Sequence, residues 1–175
     1  MANTYKMMNL ERDTSGGDIV SVQWDSGKLQ NGTPVTLGAL VTGEYELYYA
    51  QCTGATGTLA SAQVYVVYSP EVMYEAGTMI DDFYVATGMP ARAYGLKEGS
   101  IFKISSGAYI GTAAVGDYFI MQATGAGTTT GVDLGLSQFA TTSTISANKF
   151  CAQVIELSTI GYDANTAAVA RVIKA

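Results

Sequence analysis

The segment AQVYVVYS, residues 62–69, constrains this chain more than any other. Read as a strand, it puts Val64, Val66 and Tyr68 on one face and Tyr65 and Val67 on the other, because successive side chains alternate across the pleat. Both faces are then apolar. Such a strand needs cover on both sides, so it belongs in the middle of a sheet or at an interface. Pro70 ends it, since proline has no N–H to give to a ladder.

Similar short segments fill most of the chain. DIVSVQW sets Val20, Val22 and Trp24 against Ile19, Ser21 and Gln23, and TPVTLGALV follows the turn signal QNGT, whose Asn31-Gly32 pair marks a hairpin. EYELYYAQ carries Tyr45, Leu47 and Tyr49 on one face and Glu44, Glu46 and Tyr48 on the other. After Pro90 come ARAYGLK, SIFKIS, DYFIMQA, GVDLGLS, KFCAQVIELS and AAVARVIKA, separated by turns of Gly, Ser, Asn and Asp. Turns recur roughly every 8–15 residues, the rhythm of a sandwich or small barrel. Helix territory is confined to SPEVMYEAG and TMIDDFYVATG, with Thr78 as cap and Gly88 as stop. Neither is long enough for a βαβ crossover. The expectation is a mainly β fold, an antiparallel barrel or sandwich with one or two short helices.

The organisation expected is an N-terminal arm over residues 1–17, ending in the flexible TSGGD, followed by one β-rich domain over 18–175. Within it, sub-units 18–70 and 90–175 would be joined by a short helical segment at 71–89. Residues 124–148, rich in Thr, Gly, Ala and Ser, read as an exposed polar loop region.

Composition narrows the chemistry. The 175 residues contain no histidine, which removes the commonest general base, the commonest transition-metal ligand and any Ser/His or Cys/His triad. A net charge of −6 lacks the basic footprint of a general nucleic-acid binder. No apolar run approaches the ~20 residues of a membrane-spanning helix, and MANTYKMMNLERDTSGGD has no signal-peptide core. Cys52 and Cys151 read as two buried thiols. Adjacent Asp81 and Asp82 read as a cap, a turn or partners of Arg92, ahead of acid–base or metal work. GAGTTTG lacks the lysine of a P-loop. No catalytic, cofactor-binding or metal-ligating residue is expected, and no enzyme.

Binding features remain. Tyrosine offers large contact area with a hydroxyl that tolerates water, and the arm supplies adaptable apolar side chains. The partner-binding residues expected are Tyr5, Met7, Met8 and Leu10 in the arm, with Tyr45, Tyr48 and Tyr49 in the sheet.

The order of these patterns carries a resemblance. NGTPVTLGALVTGEYELYYA, VYVVYSPEVMYE, IDDFYVATGMPARAYGLKEGSIFKIS and CAQVIELSTIGY with AVARVIKA follow one another from about Asn31 to Ala175. This succession resembles the capsid decoration, or cement, proteins of tailed bacteriophages, most distinctively in DDFY followed by GxPARAYxLxxGxIF. The resemblance implies a structural protein on the outer surface of an assembled icosahedral shell, made in the host cytoplasm. It also implies the major capsid protein as partner, a trimer or dimer, and neither cofactor, nucleic acid nor membrane. Another virion part, such as a head-fibre base, a tail component or a glycan-binding receptor module, is the alternative.

Overall fold

The computed structural model describes residues 8–14, 16–51, 63–72, 83–123, 137–145, 150–160 and 165–175. Twelve strands lie within them: β1 (Met8–Arg12), β2 (Ile19–Gln23), β3 (Pro34–Leu40), β4 (Leu47–Gln51), β5 (Tyr65–Val67) and β6 (Pro90–Gly95), then β7 (Ile101–Ser105), β8 (Tyr109–Ile110), β9 (Tyr118–Ala123), β10 (Ser137–Thr142), β11 (Cys151–Ile160) and β12 (Asn165–Lys174). The fold is mainly β. Strands β2-β4-β3-β5-β6 close into a barrel, and β1-β7-β12-β11-β9-β10-β8 form a seven-stranded sheet. Most pairs are antiparallel, with β2–β4 and β8–β10 parallel. Among the described residues, helix is represented by a 3-10 turn at Ser106–Ala108.

From β1 in the sheet the chain goes on to make the barrel strands and then returns to the sheet at β7. β1 pairs with β7, Met8 opposite Ile104 and Leu10 opposite Phe102, so the barrel is an insertion between two neighbouring strands of the sheet. The return is the short stretch between β6 and β7. In it Leu96 is fully buried, the Gly99 N–H donates to the Val172 carbonyl, and the Val172 N–H donates to the Ser100 carbonyl.

Strands β5 and β6 form a wall shared by two cores. Tyr65 and Val67 of β5 and Ala91 and Ala93 of β6 face into the barrel, where they meet Val22, Leu29, Val35 and Ala50. Their neighbours in sequence face outward: Val64, Val66 and Leu96 are fully buried against Phe102, Phe119 and Phe139 of the sheet. Small alanines on the inner face suit a barrel of only five strands, whose interior holds few side chains. Burial of each large apolar side chain is worth about 1.5–3 kcal/mol. The double-faced reading of AQVYVVYS is thus the geometry of the wall.

Several expectations are corrected. Residues 8–12 of the expected arm are a strand, because alternation turns Met8 and Leu10 onto the inner face of the sheet. Met8 is 1% exposed and Leu10 packs on the same core. Thr14 is tied down too, its hydroxyl 2.9 Å from both the Glu98 carbonyl and the Ser100 hydroxyl. The boundary between the halves falls after Gly95, since β6 closes the barrel, and β1 joins the second half. Where the segment 71–89 is described, it is extended or turned: Val85 bridges to Leu29, and Thr87-Gly88 is a turn.

Two further patterns read differently in three dimensions. Asn31-Gly32 turns the chain, but β2 and β3 on either side of it do not pair with each other. Gly32 has φ of +79° and a Cβ there would stand 3.0 Å from the Ala108 Cβ, so glycine is needed for both backbone and space. Within the Thr/Gly-rich stretch 124–148, residues 137–142 are β10. Its Phe139 is completely buried, with ring centroids 5.4 Å from Phe102 and 6.0 Å from Phe119.

Because the wall belongs to both cores, barrel and sheet should unfold together. Trp24, the single tryptophan, packs on the barrel core, so its fluorescence reports the barrel, whereas far-ultraviolet circular dichroism reports all strands. The two urea transitions are expected to coincide, and Phe139→Ala in the sheet core to shift both by about 3–5 kcal/mol. A tryptophan signal left unmoved by that substitution would mean two independent domains.

A chain beginning at Asp18 is expected to have a markedly lower thermal midpoint than the full chain. Met8→Ala alone should cost about 2–5 kcal/mol in a denaturant titration.

Candidate functional site

The outer face of β6 borders two depressions beside chemistry-bearing residues. In PARAYG the small residues Ala91 and Ala93 fill the barrel, so alternation puts Arg92 and Tyr94 outside. Antiparallel pairing sets Val67 opposite Ala93 and Val66 opposite Tyr94, and the Tyr68 N–H donates to the Arg92 carbonyl at 2.9 Å. Tyr68 therefore arrives beside Arg92 and Tyr94. The two tyrosine rings lie 5.7 Å apart, inclined at 46°.

The chain leaving β5 is held by a second anchor. The Arg92 N–H donates to the Ser69 hydroxyl at 2.8 Å. Asn31, fully buried, accepts from the Ser69 N–H at 2.8 Å and donates to the Ser69 carbonyl at 3.0 Å and to Glu71 Oε1 at 3.1 Å. Its carboxamide thus acts as a peptide unit, satisfying a backbone pair that has left the ladder. Asn31, expected from sequence only to mark a hairpin, clamps residues 69–71 to the barrel.

Two confluent depressions result. One, of about 330 Å³, is lined by Tyr68, Ser69, Pro70, Glu71, Arg92 and Tyr94. The other, of about 580 Å³, shares Ser69, Pro70 and Arg92 and continues over Val72, Val85 and Met89. Val72 is 51% exposed and Met89 57%. Among the described residues the Arg92 guanidinium has no hydrogen-bond or ion-pair partner. The groove combines a free cation, two tilted phenols and apolar side chains on a braced backbone.

The expected binding residues do not form one surface. Tyr5 and Met7 lie outside the described residues, as do Asp81, Asp82 and Cys52. Met8 and Leu10 belong to the sheet core. Tyr45 is 92% exposed but precedes β4. Tyr48 pairs opposite Val22 of the barrel interior, and Tyr49, one residue on, points to the other side. Trp24 is partly buried and packs against the barrel core. Among the described residues, no group of three or more Cys, Asp or Glu stands close enough to hold a metal, and no helix is long and apolar enough to cross a membrane.

Sequence reasoning singled out Arg92 for a different partner and did not join it to Tyr68 and Tyr94. The usable signal was the small-in, large-out alternation of ARAY.

Elsewhere, burial shifts three protons. Tyr65, inside the barrel, has its phenol pushed above the ordinary 10.0 by desolvation and then by Asp18, whose carboxylate accepts its hydroxyl at 3.3 Å. Burial raises Tyr109 likewise, and Cys151 is a buried free thiol pushed up by desolvation, with Lys174 partly opposing.

For a raised phenol, the fold favours the protonated form. Below pH 10.0 both folded and unfolded chains keep that proton; above it the unfolded chain loses it first. Urea midpoints should therefore hold from neutral pH to about 9, where the unfolded Cys151 thiol begins to ionise, and fall further as pH rises through the raised phenol values. Tyr65→Phe should make the alkaline decline shallower. Asn31→Ala, which strands the Ser69 N–H and carbonyl, should lower stability by about 1–3 kcal/mol in the same titration.

Comparison of the chain with protein-family models, with curated proteins and with solved structures finds no match.

Proposed function

We propose that this protein is a structural virion component that binds the outer surface of a tailed-phage capsid and stabilises contacts between capsomers. The observation that carries this reading is where its most distinctive resemblance falls. GMPARAYGLKEGSIF, residues 88–102, runs from the Gly88 turn through β6, Leu96 and the Gly99 turn into β7. Ala91 and Ala93 of this segment fill the barrel core, while Leu96 and Phe102 fill the sheet core. The similarity to decoration proteins therefore lies on residues that set the shape of a scaffold.

The physical role fits such a scaffold. A rigid double core resists deformation, and an oligomer touching two or three capsomers resists their separation through effective concentration even when each contact is weak. A trimer or dimer with the major capsid protein as partner is part of the proposal. Met8 drops out of the contact set because it is interior, Leu10 is partly buried against the same core, and Tyr45 is exposed and stays in the proposed contact set.

The test is co-sedimentation of the purified protein with expanded capsids assembled from the major capsid protein of the same virus, followed by electron cryo-microscopy. Saturable pelleting with density on the outer shell is expected. Density on the tail, or no pelleting at concentrations well above those of the shell sites, would overturn the reading.

A further inference from the structure

We propose that the groove over β6 is a docking site for an extended polypeptide segment of a partner protein, one that presents a carboxylate beside an apolar side chain. In a chain of net charge −6, Arg92 sits where both depressions meet, its guanidinium without a partner among the described residues. Glu71, on the same rim, is engaged by Asn31 Nδ2. A carboxylate entering the groove would find a planar, multidentate donor waiting.

The second element is the apolar flank. Val72 and Met89 are more than half exposed, with Val85 between them on the wall of the larger depression. Methionine adapts to irregular apolar partners, and tyrosine and arginine are the residue types enriched at binding hot spots. An aliphatic side chain adjacent to the bound acid would cover this flank. An acidic sugar would meet the same guanidinium but would leave the apolar flank of Val72, Val85 and Met89 uncovered, so the peptide segment is the better match.

The third element is rigidity. The Tyr68-to-Glu71 stretch is bonded on one side to β6 and on the other to Asn31, so little ordering is lost on binding. Both β2 and β6 are paired on each side in the closed barrel. The segment therefore docks through its side chains and does not add a strand. The groove takes such a segment whatever assembly the protein joins.

The experiment is a nuclear magnetic resonance titration of the full chain with two blocked peptides, GLDLG and GLNLG, and with a methyl glucuronide as the acidic-sugar arm. With GLDLG at millimolar concentration, amide shifts are expected at Tyr68, Arg92 and Tyr94 and at Val85 and Met89. GLNLG should bind roughly fivefold more weakly or worse, the loss of one partly exposed ion pair. Arg92→Gln, an exposed site, should keep the wild-type thermal midpoint and bind both peptides equally weakly. No shifts with GLDLG, or equal affinity of the wild-type protein for the two peptides, would overturn the proposal. So would stronger binding of the glucuronide at the same amides, which would give the groove to an acidic sugar.

Discussion

The wall made by β5 and β6 is the contact on which the rest of the structure depends. A five-stranded barrel alone has room for few side chains, and a seven-stranded sheet with one apolar face needs a lid. Each solves the other's problem. Val64, Val66 and Leu96 leave the barrel's outer surface and complete the packing over Phe102, Phe119 and Phe139, while Tyr65, Val67, Ala91 and Ala93 fill the barrel. Both layers of cover come from one pair of strands because side chains alternate along each of them. Burial on both sides of a single wall also couples the two cores energetically, since a change in one moves the strands that bound the other.

The same alternation produces the groove. Once the wall has used Ala91 and Ala93 inside the barrel, Arg92 and Tyr94 must stand outside, and pairing with β5 brings Tyr68 next to them. Asn31 then holds the departing chain in place. Recognition chemistry is thus assembled as a consequence of how the barrel fills, and its geometry is braced by hydrogen bonds that the fold requires anyway. The stretch from Met89 to Phe102 unites these roles. It borders the groove at one end, closes the barrel in its middle, and enters the sheet at the other.

What was legible in the sequence follows from which interactions are local. The mainly β class and the placement of most strands could be read from alternation and turn residues, and the two-faced burial of AQVYVVYS from a five-residue pattern. The Met8 strand was not legible, because MNLER is short and its cover comes from β7, more than ninety residues away. Nor was β10: Ser and Thr surround Phe139, and only the aromatic cluster contributed by Phe102, Phe119 and Phe150 makes that position a core site. Asn31-Gly32 correctly announced a turn, but a dipeptide cannot specify which strands pair across it.

By itself, the sequence determined the strand periodicity, the absence of histidine and hence of its chemistry, and the acidic charge. Those are properties of residue type and near-neighbour spacing. Only the tertiary structure decided that the barrel is inserted between β1 and β7, that Met8 is interior, and that Arg92 meets Tyr68 and Tyr94 on one face. Each of those depends on pairing between strands distant in the chain. Such pairing is selected by how two cores can be filled at once, which no local pattern records.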